Sequence, residues 1–418
     1  MTIKEKKPIS ITTQIIVATV AALIFGSLVG PWSKNIEFIG TIWLRLIQMS
    51  IVVLVMTSVM GAVGNIEGAG AGRMSFLTFR YIIIFTVLSA ALGLALAFVF
   101  KPGVGIDIGV GGTATGTSEL ATASVTETLT NFVPTNIFAA MSSGSTVQAI
   151  VFSLIFGVAM GKYIKVSGRD DLLLVIKDIN GVIMEIIGMV MKLAPIGIFA
   201  LLAPVAGVTG FSVILPMLKF LLALLVADII MFLAYFPITA FRVGVSPFKM
   251  PKKFAKMAIM ALTITSSAVC LPTKMEDSVE KFGVSRRVTD FTGPITMTMN
   301  SSGAVACYVL AIMFMAQATG TVLSTTEILT GIMLAIMMVM GTIVVPGGSI
   351  VVYTFFAQSL GLPYEAIAIL IGIDWFAGSL RTIMNVTIDV LIAMLVAHDL
   401  GEFDKDVYND LKKVEYVK

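Results

Sequence analysis

Charged residues, cysteine and histidine are all scarce in this sequence. Only 13% of its 418 residues are charged, whereas a soluble domain carries roughly 25%. That is too little polar surface to coat a soluble protein of this length, so we expect lipid to contact much of it. The two cysteines, Cys270 and Cys307, lie in apolar sequence without disulfide or metal-site spacing. His398 is the only histidine, so zinc chemistry and a histidine-based catalytic pair have almost no residues to draw on.

Other absences narrow the class further. No glycine-rich phosphate loop lies between a strand and a helix, which argues against ATP-driven transport. The net charge of +3 is too small to indicate a nucleic-acid partner. No nucleophile and base converge, so we expect no enzymatic activity. The first apolar stretch is too long for a cleavable signal peptide and lacks a small-residue cleavage site.

Long apolar runs take the place of polar surface, and 57% of the residues are hydrophobic. A helix needs about 20 mostly apolar residues to cross a bilayer. We predict such spans near residues 13–31, 40–64, 79–100, 131–164, 180–206 and 211–240. The sequence therefore predicts an all-α polytopic membrane protein that contacts the lipid bilayer.

Basic residues gather in alternate loops, around Lys7, Arg73, Lys165, Lys252 and Arg286. Cytoplasmic loops of membrane proteins carry an excess of lysine and arginine. We therefore predict a multi-pass protein of the plasma (cytoplasmic) membrane with both termini in the cytoplasm. The acidic side chains of the tail, Glu402, Asp404 and Asp406, are expected to form a solvated face.

The apolar segments of the C-terminal half are interrupted in their middles. Residues 253–282 are too few to cross twice and predict a helical hairpin with its tip at 265–268. A second unit breaks at 345–349, and the segment 288–319 between the two breaks at 298–303. Non-helical backbone at membrane depth must be buried or line a cavity. Paired interrupted segments in inverted halves indicate a substrate site near the midplane.

The last long helix, from about residue 364 to 397, carries its polar residues on one stripe. These are Asp374, Gly378, Arg381, Thr382, Asn385 and Asp389. Ionisable groups at membrane depth cost roughly 2.5–3.5 kcal/mol each and mark ion or substrate paths. The planar guanidinium of Arg381 suits a carboxylate ligand. The alternative is an internal ion pair of Arg381 with Asp374 or Asp389, which a ligand can also join.

Together with other motifs, this stripe resembles the dicarboxylate/amino acid:cation symporters, the family of the glutamate transporters and bacterial C4-dicarboxylate carriers. The motifs are Phe132–Asn136, Ala194–Leu201, Ser266–Ser267 with Leu271–Pro272, Val345–Gly348, Gly372–Asp374 and Arg381–Asp389. The resemblance covers nearly the whole chain. It implies about eight transmembrane helices with two re-entrant hairpins in inverted repeats, an elevator mechanism and a homotrimer.

The resemblance also implies a division into a scaffold and a moving transport domain. Residues 1–78 would form scaffold, and 79–130 the third span with an outer loop. Residues 131–245 would be mostly scaffold and trimer contacts, 246–398 the core of the transport domain and 399–418 a cytoplasmic tail.

The same resemblance implies a substrate site. Arg381 would bind a side-chain or distal carboxylate and Asn385 the other carboxylate. Thr382 and Ser267 would add hydrogen bonds, and the second hairpin tip would close over the ligand. The full set of implied substrate residues is Arg381, Thr382, Asn385, Ser266, Ser267, Val345, Gly347, Gly378 and Ala304.

Cation sites are implied as well, with Na+ or H+ as the coupling ion and no organic cofactor. Asp389, with backbone oxygens near Thr296, Asn300 and Asn385, would form a sodium site, since carboxylate and carbonyl oxygens suit a hard cation. Thr298 and Thr342 would lie at a second sodium site. A further site of the family has an acidic ligand where this chain has Ser302. We expect that site to be absent or neutral, because Ile82 and Phe85 also stand where hydroxyl groups are needed.

Two departures bear on the substrate. Gly378 stands where amino acid carriers of the family have the aspartate that holds the α-amino group, which favours a dicarboxylate without an amino group. Ala304 lacks a hydroxyl that usually helps the distal carboxylate, which weakens that preference.

The sequence thus predicts a secondary active symporter for a small carboxylate, either a C4-dicarboxylate or an acidic amino acid, driven by a sodium or proton gradient. A carrier of another amino acid, with reduced or no sodium coupling, remains an alternative. An ion channel remains a third hypothesis, because broken helices and midplane charges also build pores.

Overall fold

The computed structural model describes residues 11–68, 72–106, 130, 133–143, 146–339 and 348–416. These residues are helical apart from turns and one isolated bridge between Val284 and Phe403. Six of their segments are long and apolar enough to cross a membrane. They are Thr13–Gly61, Gly72–Phe100, Gln148–Ser167, Ala194–Val243, Arg286–Ala318 and Glu365–Leu400. The prediction of an all-helical polytopic protein is confirmed at this level.

Eight α-helices are described in the first part of the chain. They are α1 Ile11–Val29, α2 Glu37–Gly68, α3 Gly72–Phe100, α4 Ile137–Ser142, α5 Thr146–Ser167, α6 Asp171–Met191, α7 Ala194–Thr209 and α8 Ile214–Val243. The predicted boundary at residue 79 lies inside α3, because the helix begins at Gly72, before the apolar run. The predicted span 180–206 is two helices, because Pro195, near the start of α7, has no N–H to donate to a preceding turn.

Eight further helices follow. They are α9 Met250–Ile264, α10 Ser267–Glu280, α11 Arg286–Met299, α12 Ser302–Ala318, α13 Thr325–Val339, α14 Gly348–Leu360, α15 Glu365–Leu400 and α16 Lys405–Tyr408. The predicted first hairpin is α9 and α10, which turn at Thr265 in the left-handed region with φ 54°. An ion pair of 3.8 Å between Lys256 and Glu276 joins the two arms, which are therefore antiparallel. Most of the predicted second tip, including Val345, lies outside the described residues.

Helix α15 lies at the centre of the C-terminal half, and its middle is almost wholly buried. It packs against α8, both arms of the first hairpin, α11, α12 and α14. Helix α12 begins directly against it at Gly303. A Cβ atom there would lie 2.7 Å from the carbonyl oxygen of Arg381. Only glycine permits this approach, which brings the start of α12 to the polar stripe of α15.

The tail folds back onto the first hairpin and α11. Glu402 accepts hydrogen bonds from the Ser285 hydroxyl at 2.6 Å and from Arg287 at 2.9 Å. Asp404 caps α16 and pairs with Lys412 at 2.9 Å. The side chains of Glu402 and Asp404 remain 24% and 37% exposed and Asp406 is exposed, so these contacts lie at the surface and the expected solvated acidic face is not contradicted.

Candidate substrate and cation site

Arg381 lies in a buried polar cluster on α15, with 8% of the residue exposed. Its Nη2 atom donates to Asp374 Oδ1 at 3.2 Å and to the Ser349 hydroxyl at 2.5 Å. Its Nη1 atom donates to the Tyr353 hydroxyl at 3.3 Å, and its Cζ atom lies 5.6 Å from the centre of the Tyr308 ring. A guanidinium has five N–H donors. The described residues engage three of them, so two remain for a ligand.

The ion pair of Arg381 with Asp374 is one of the two internal ion pairs that the sequence left open as an alternative. Both Asp374 oxygens are occupied, Oδ2 by the Ser349 hydroxyl at 3.0 Å and Oδ1 by Arg381 and the Tyr353 hydroxyl, the latter at 3.3 Å. Asp389 takes no part in this cluster. The cluster therefore fixes the guanidinium in place and neutralises its charge.

The tip of the first hairpin covers the stripe at Gly378. A Cβ atom at Gly378 would lie 3.3 Å from Arg381 Nη2 and 4.0 Å from Thr265 Cβ. The Ser379 hydroxyl donates to the carbonyl oxygen of Leu262 at 3.0 Å, which ties the end of α9 to α15. The tip thus lies next to the guanidinium.

Ser266 and Ser267 are buried at the N-terminus of α10, each with 6% exposure. The first N–H groups of a helix and its dipole favour an anion. A carboxylate beside Ser267 would therefore meet favourable electrostatics from α10 as well as from the serine side chains.

Asn385 lies on the same stripe, against the start of α12. Its Oδ1 atom accepts from the N–H groups of Gly303 at 3.0 Å and Ala304 at 3.3 Å. This bond orients the amide and leaves Nδ2 as a donor. One turn earlier, the Thr382 hydroxyl donates to the carbonyl oxygen of Gly378 at 2.8 Å, so its oxygen can still accept a hydrogen bond.

A second buried cluster surrounds Asp389. Its Oδ1 atom accepts from Asn300 Nδ2 at 2.7 Å, and the Ser302 hydroxyl donates to Asn300 Oδ1 at 2.9 Å. Its Oδ2 atom lies 2.6 Å from Lys274 Nζ in an ion pair with almost no exposure. Lys274 also donates to the Thr296 hydroxyl at 3.4 Å. Of the residues predicted to surround a sodium ion, Asp389 and Thr296 therefore contact an ammonium group in this structure, Asn300 binds the other oxygen of Asp389, and Asn385 binds the start of α12.

The other predicted cation residues do not join this cluster. Thr298 is exposed, and its hydroxyl donates to the backbone oxygens of Pro294 and Ile295 on its own helix. Thr342, like Val345 and Gly347 of the substrate set, lies outside the described residues. Ile82 and Phe85 are buried among apolar side chains, with the Phe85 ring 4.7 Å from that of Tyr235.

Sequence reasoning missed several residues of the two clusters, above all Lys274, and also Tyr308 and Tyr353. Lys274 did leave a signal. Cys270, Lys274 and Ser278 recur every four residues on α10 and form a buried face. A lysine on that face needs a buried partner, whereas the lysines at the end of the hairpin can reach water.

Comparisons with known proteins show which proteins the whole chain is similar to. Residues 11–399 match the model of the sodium:dicarboxylate symporter family. The chain is 29% identical to a proton/sodium-glutamate symport protein of Bacillus subtilis (strain 168), over 94% of each chain. It is 29% identical to a proton/glutamate-aspartate symporter of Escherichia coli (strain K12), over 95% of this chain and 94% of that protein. An L-cystine uptake protein of Bacillus thuringiensis subsp. konkukian (strain 97-27) is 25% identical over 97% of this chain and 93% of that protein.

Proposed function

Because this chain belongs to the sodium:dicarboxylate symporter family, we propose that it is a secondary active symporter for a small dicarboxylate anion. The observation that carries the proposal is Arg381, which is buried, held by three hydrogen bonds and has two N–H donors that no described residue engages. A fixed guanidinium is suited to a carboxylate, and the Nε–H or the second N–H of Nη1 can donate a charge-assisted hydrogen bond to it.

The remaining substrate residues have complementary roles. One carboxylate binds Arg381. The other lies between Asn385 Nδ2 and the N-terminus of α10, where Ser267 adds a hydroxyl. The Thr382 oxygen can accept a hydrogen bond from a substrate hydroxyl such as that of malate, and Gly378 and Ala304 leave room beside the ligand. Val345 and Gly347 belong to the segment that closes over it.

The substrate is a C4-dicarboxylate, because Gly378 provides no counter-charge for an ammonium group beside Arg381. An acidic amino acid is the second candidate. It is favoured by the two relatives that are named for glutamate or for glutamate and aspartate. These candidates differ by one ammonium group, so parallel uptake measurements separate them.

Transport proceeds by an elevator movement of the hairpin-containing part, residues 246–398 with the third span, against a scaffold formed by residues 1–78 and most of 131–245. The arms α9 and α10 have 15 and 14 residues. At 1.5 Å per residue each is roughly 20 Å long, shorter than the hydrocarbon core of about 30 Å. This length supports a re-entrant hairpin. Eight spans, a homotrimer and cytoplasmic termini in the plasma membrane complete the proposal.

The test is uptake into proteoliposomes of labelled succinate, malate, aspartate, glutamate and a neutral amino acid, under sodium, proton or no gradient. We expect saturable dicarboxylate uptake. Arg381→Gln should reduce it at least about tenfold, since bonds to a charged group contribute about 1.5–3 kcal/mol. Arg169→Gln is the matched control, because Arg169 is exposed and pairs only with Asp171 among the described residues.

Two results contradict the proposal. If Arg381→Gln takes up dicarboxylate as fast as the wild type, the guanidinium does not bind the substrate. Ionic current without any dependence on substrate supports the channel alternative.

A further inference from the structure

An ammonium group occupies the centre of the oxygen cluster around Asp389. Lys274 Nζ lies 2.6 Å from Asp389 Oδ2, 3.0 Å from the carbonyl oxygen of Gly293 and 3.4 Å from the Thr296 hydroxyl. Its three N–H donors therefore have three acceptors. The cluster is closed to solvent, with 2% of Lys274, none of Thr296 and 1% of Asp389 exposed.

The acceptors are the ligand types of a hard cation. A carboxylate, a backbone carbonyl and a hydroxyl oxygen converge from α15 and α11 on one point. Asn300 holds the second oxygen of Asp389 at 2.7 Å, which keeps Oδ2 aimed at that point. The lysine side chain enters from α10, on the first hairpin, and places its charge where an ion would lie.

The charge balance opposes a second cation. Asp389 is the one carboxylate in this cluster among the described residues. Those residues also contain no group of three or more Asp, Glu, Cys or His side chains that could hold a metal ion. One negative and one positive charge leave the cluster neutral. An added sodium ion would leave one positive charge uncompensated in a buried, low-dielectric site, which is strongly unfavourable.

We propose that Lys274 is a tethered cation that takes the place of the coupling sodium ion at Asp389, so that this site binds no sodium. The inference rests on the proposed transport function, because it concerns the coupling of that same site. Its consequence is that one positive charge stays with the first hairpin throughout the cycle. Any sodium dependence of this protein must then come from elsewhere in the chain.

A purely structural ion pair predicts a different response to loss of the lysine. If the cluster is a cation site with a built-in occupant, removal of the ammonium should create a sodium site. If the pair only holds α10 to α15, removal should leave a defect that no particular ion repairs.

The experiment measures the midpoint of thermal unfolding of the purified protein without substrate. NaCl replaces choline chloride in steps, so that the ionic strength stays constant. The proteins are the wild type, Lys274→Ala, Lys274→Ala/Asp389→Asn, Asp389→Asn and Lys253→Ala. Lys253 is the matched control, because it lies on the other arm of the hairpin and pairs with Asp410 in the tail. Because no substrate is present, this result does not depend on the proposed transport function. The uptake measurement tests that function separately.

We expect the wild type and Lys253→Ala to respond equally to the two salts. Lys274→Ala should have a lower midpoint in choline chloride and recover by several degrees, saturably, in NaCl. The double variant should lose that recovery. A saturable sodium response of the wild type that Asp389→Asn abolishes overturns the proposal, and that comparison holds even if Lys274→Ala does not fold. Equal effects of the two salts on folded Lys274→Ala also overturn it.

Discussion

Asp374 and Arg381 form a buried ion pair on α15, with 3.2 Å between Oδ1 and Nη2. Asp374 and a substrate carboxylate bound at Arg381 would therefore share the same guanidinium. Removal of Asp374 should therefore make the protein depend on its substrate for stability.

Asp374→Asn is expected to destabilise the substrate-free protein by about 3 kcal/mol, since it leaves a buried cation without its counter-charge. A bound dicarboxylate should recover part of that loss. Thermal unfolding with and without succinate measures both effects. A variant with unchanged stability, or with the same response to succinate as the wild type, contradicts this account of the pair.

Gly378→Asp should change which substrate is preferred. A side chain at this position begins 3.3 Å from Arg381 Nη2 and beside Thr265, so its carboxylate can serve as the counter-charge for a substrate ammonium. We expect the ratio of aspartate to succinate uptake to rise at least about tenfold. Gly378→Ala adds the same Cβ without charge and should leave the ratio unchanged. If both variants shift the ratio equally, the effect is steric.

Gly303→Ala should destabilise the protein by about 1–3 kcal/mol, because overpacking forces the helices apart. The new Cβ atom would lie 2.7 Å from the Arg381 carbonyl oxygen and 2.7 Å from Met384 Cβ. Gly61→Ala is the control, since no atom of the described residues, apart from the adjacent backbone of its own helix, lies within 4 Å of its Cβ position. That change should be neutral or stabilising by up to about 1 kcal/mol, from helix propensity. If Gly303→Ala and Gly61→Ala change the midpoint of thermal unfolding equally, the contact between α12 and α15 is loosely packed.

Asp228 on α8 is buried with 3% exposure, and neither of its carboxyl oxygens has a hydrogen-bond partner among the described residues. An unsatisfied buried polar group is costly, and an apolar side chain of similar size removes that cost. Asp228→Leu should therefore unfold at the same temperature as the wild type or higher. Asp389→Leu, which leaves the Lys274 ammonium group without its counter-charge, should unfold at a clearly lower temperature. A large loss for Asp228→Leu would mean that the carboxyl has a partner outside the described residues.

Docking of the tail should weaken in acid. The hydrogen bond from Lys253 lowers the pKa of Asp410, and the hydrogen bond from Lys412 lowers the pKa of Asp404. Carboxylates with lowered pKa values stabilise the folded tail above the ordinary value of about 3.9 and lose that effect as the pH falls through the lowered value. Asp410 is exposed and Asp404 is partly exposed, so the effect is small.

Hydrogen exchange of residues 405–411 between pH 6 and pH 3 measures this change. Exchange, after correction for its intrinsic pH dependence, should quicken at the acid end. Asp410→Asn should already show faster exchange at pH 6 and a smaller change with pH. A tail whose corrected exchange is independent of pH in the wild type would show that apolar contacts of Tyr408 hold it in place.

The sequence predicted local features well and boundaries less well. The hairpin of α9 and α10 follows from its short apolar arms and the break after Ile264. The start of α3 was missed by several residues, because its first turns carry Arg73, Ser75 and Thr78 and resemble a loop. Thr298 was assigned to a cation site from its position in a motif, yet it lies on the exposed side of α11.

The sequence by itself determined the membrane class and the polar stripe of α15. Both depend on composition and on helical period, which place Asp374, Arg381 and Asp389 on one face whatever surrounds them. Only the tertiary structure decided the partners. Arg381 pairs with Asp374, and Asp389 pairs with Lys274 from a different helix. The physical reason is that a buried charge selects its counter-charge by proximity in the fold, and no local pattern records which distant helix will supply it.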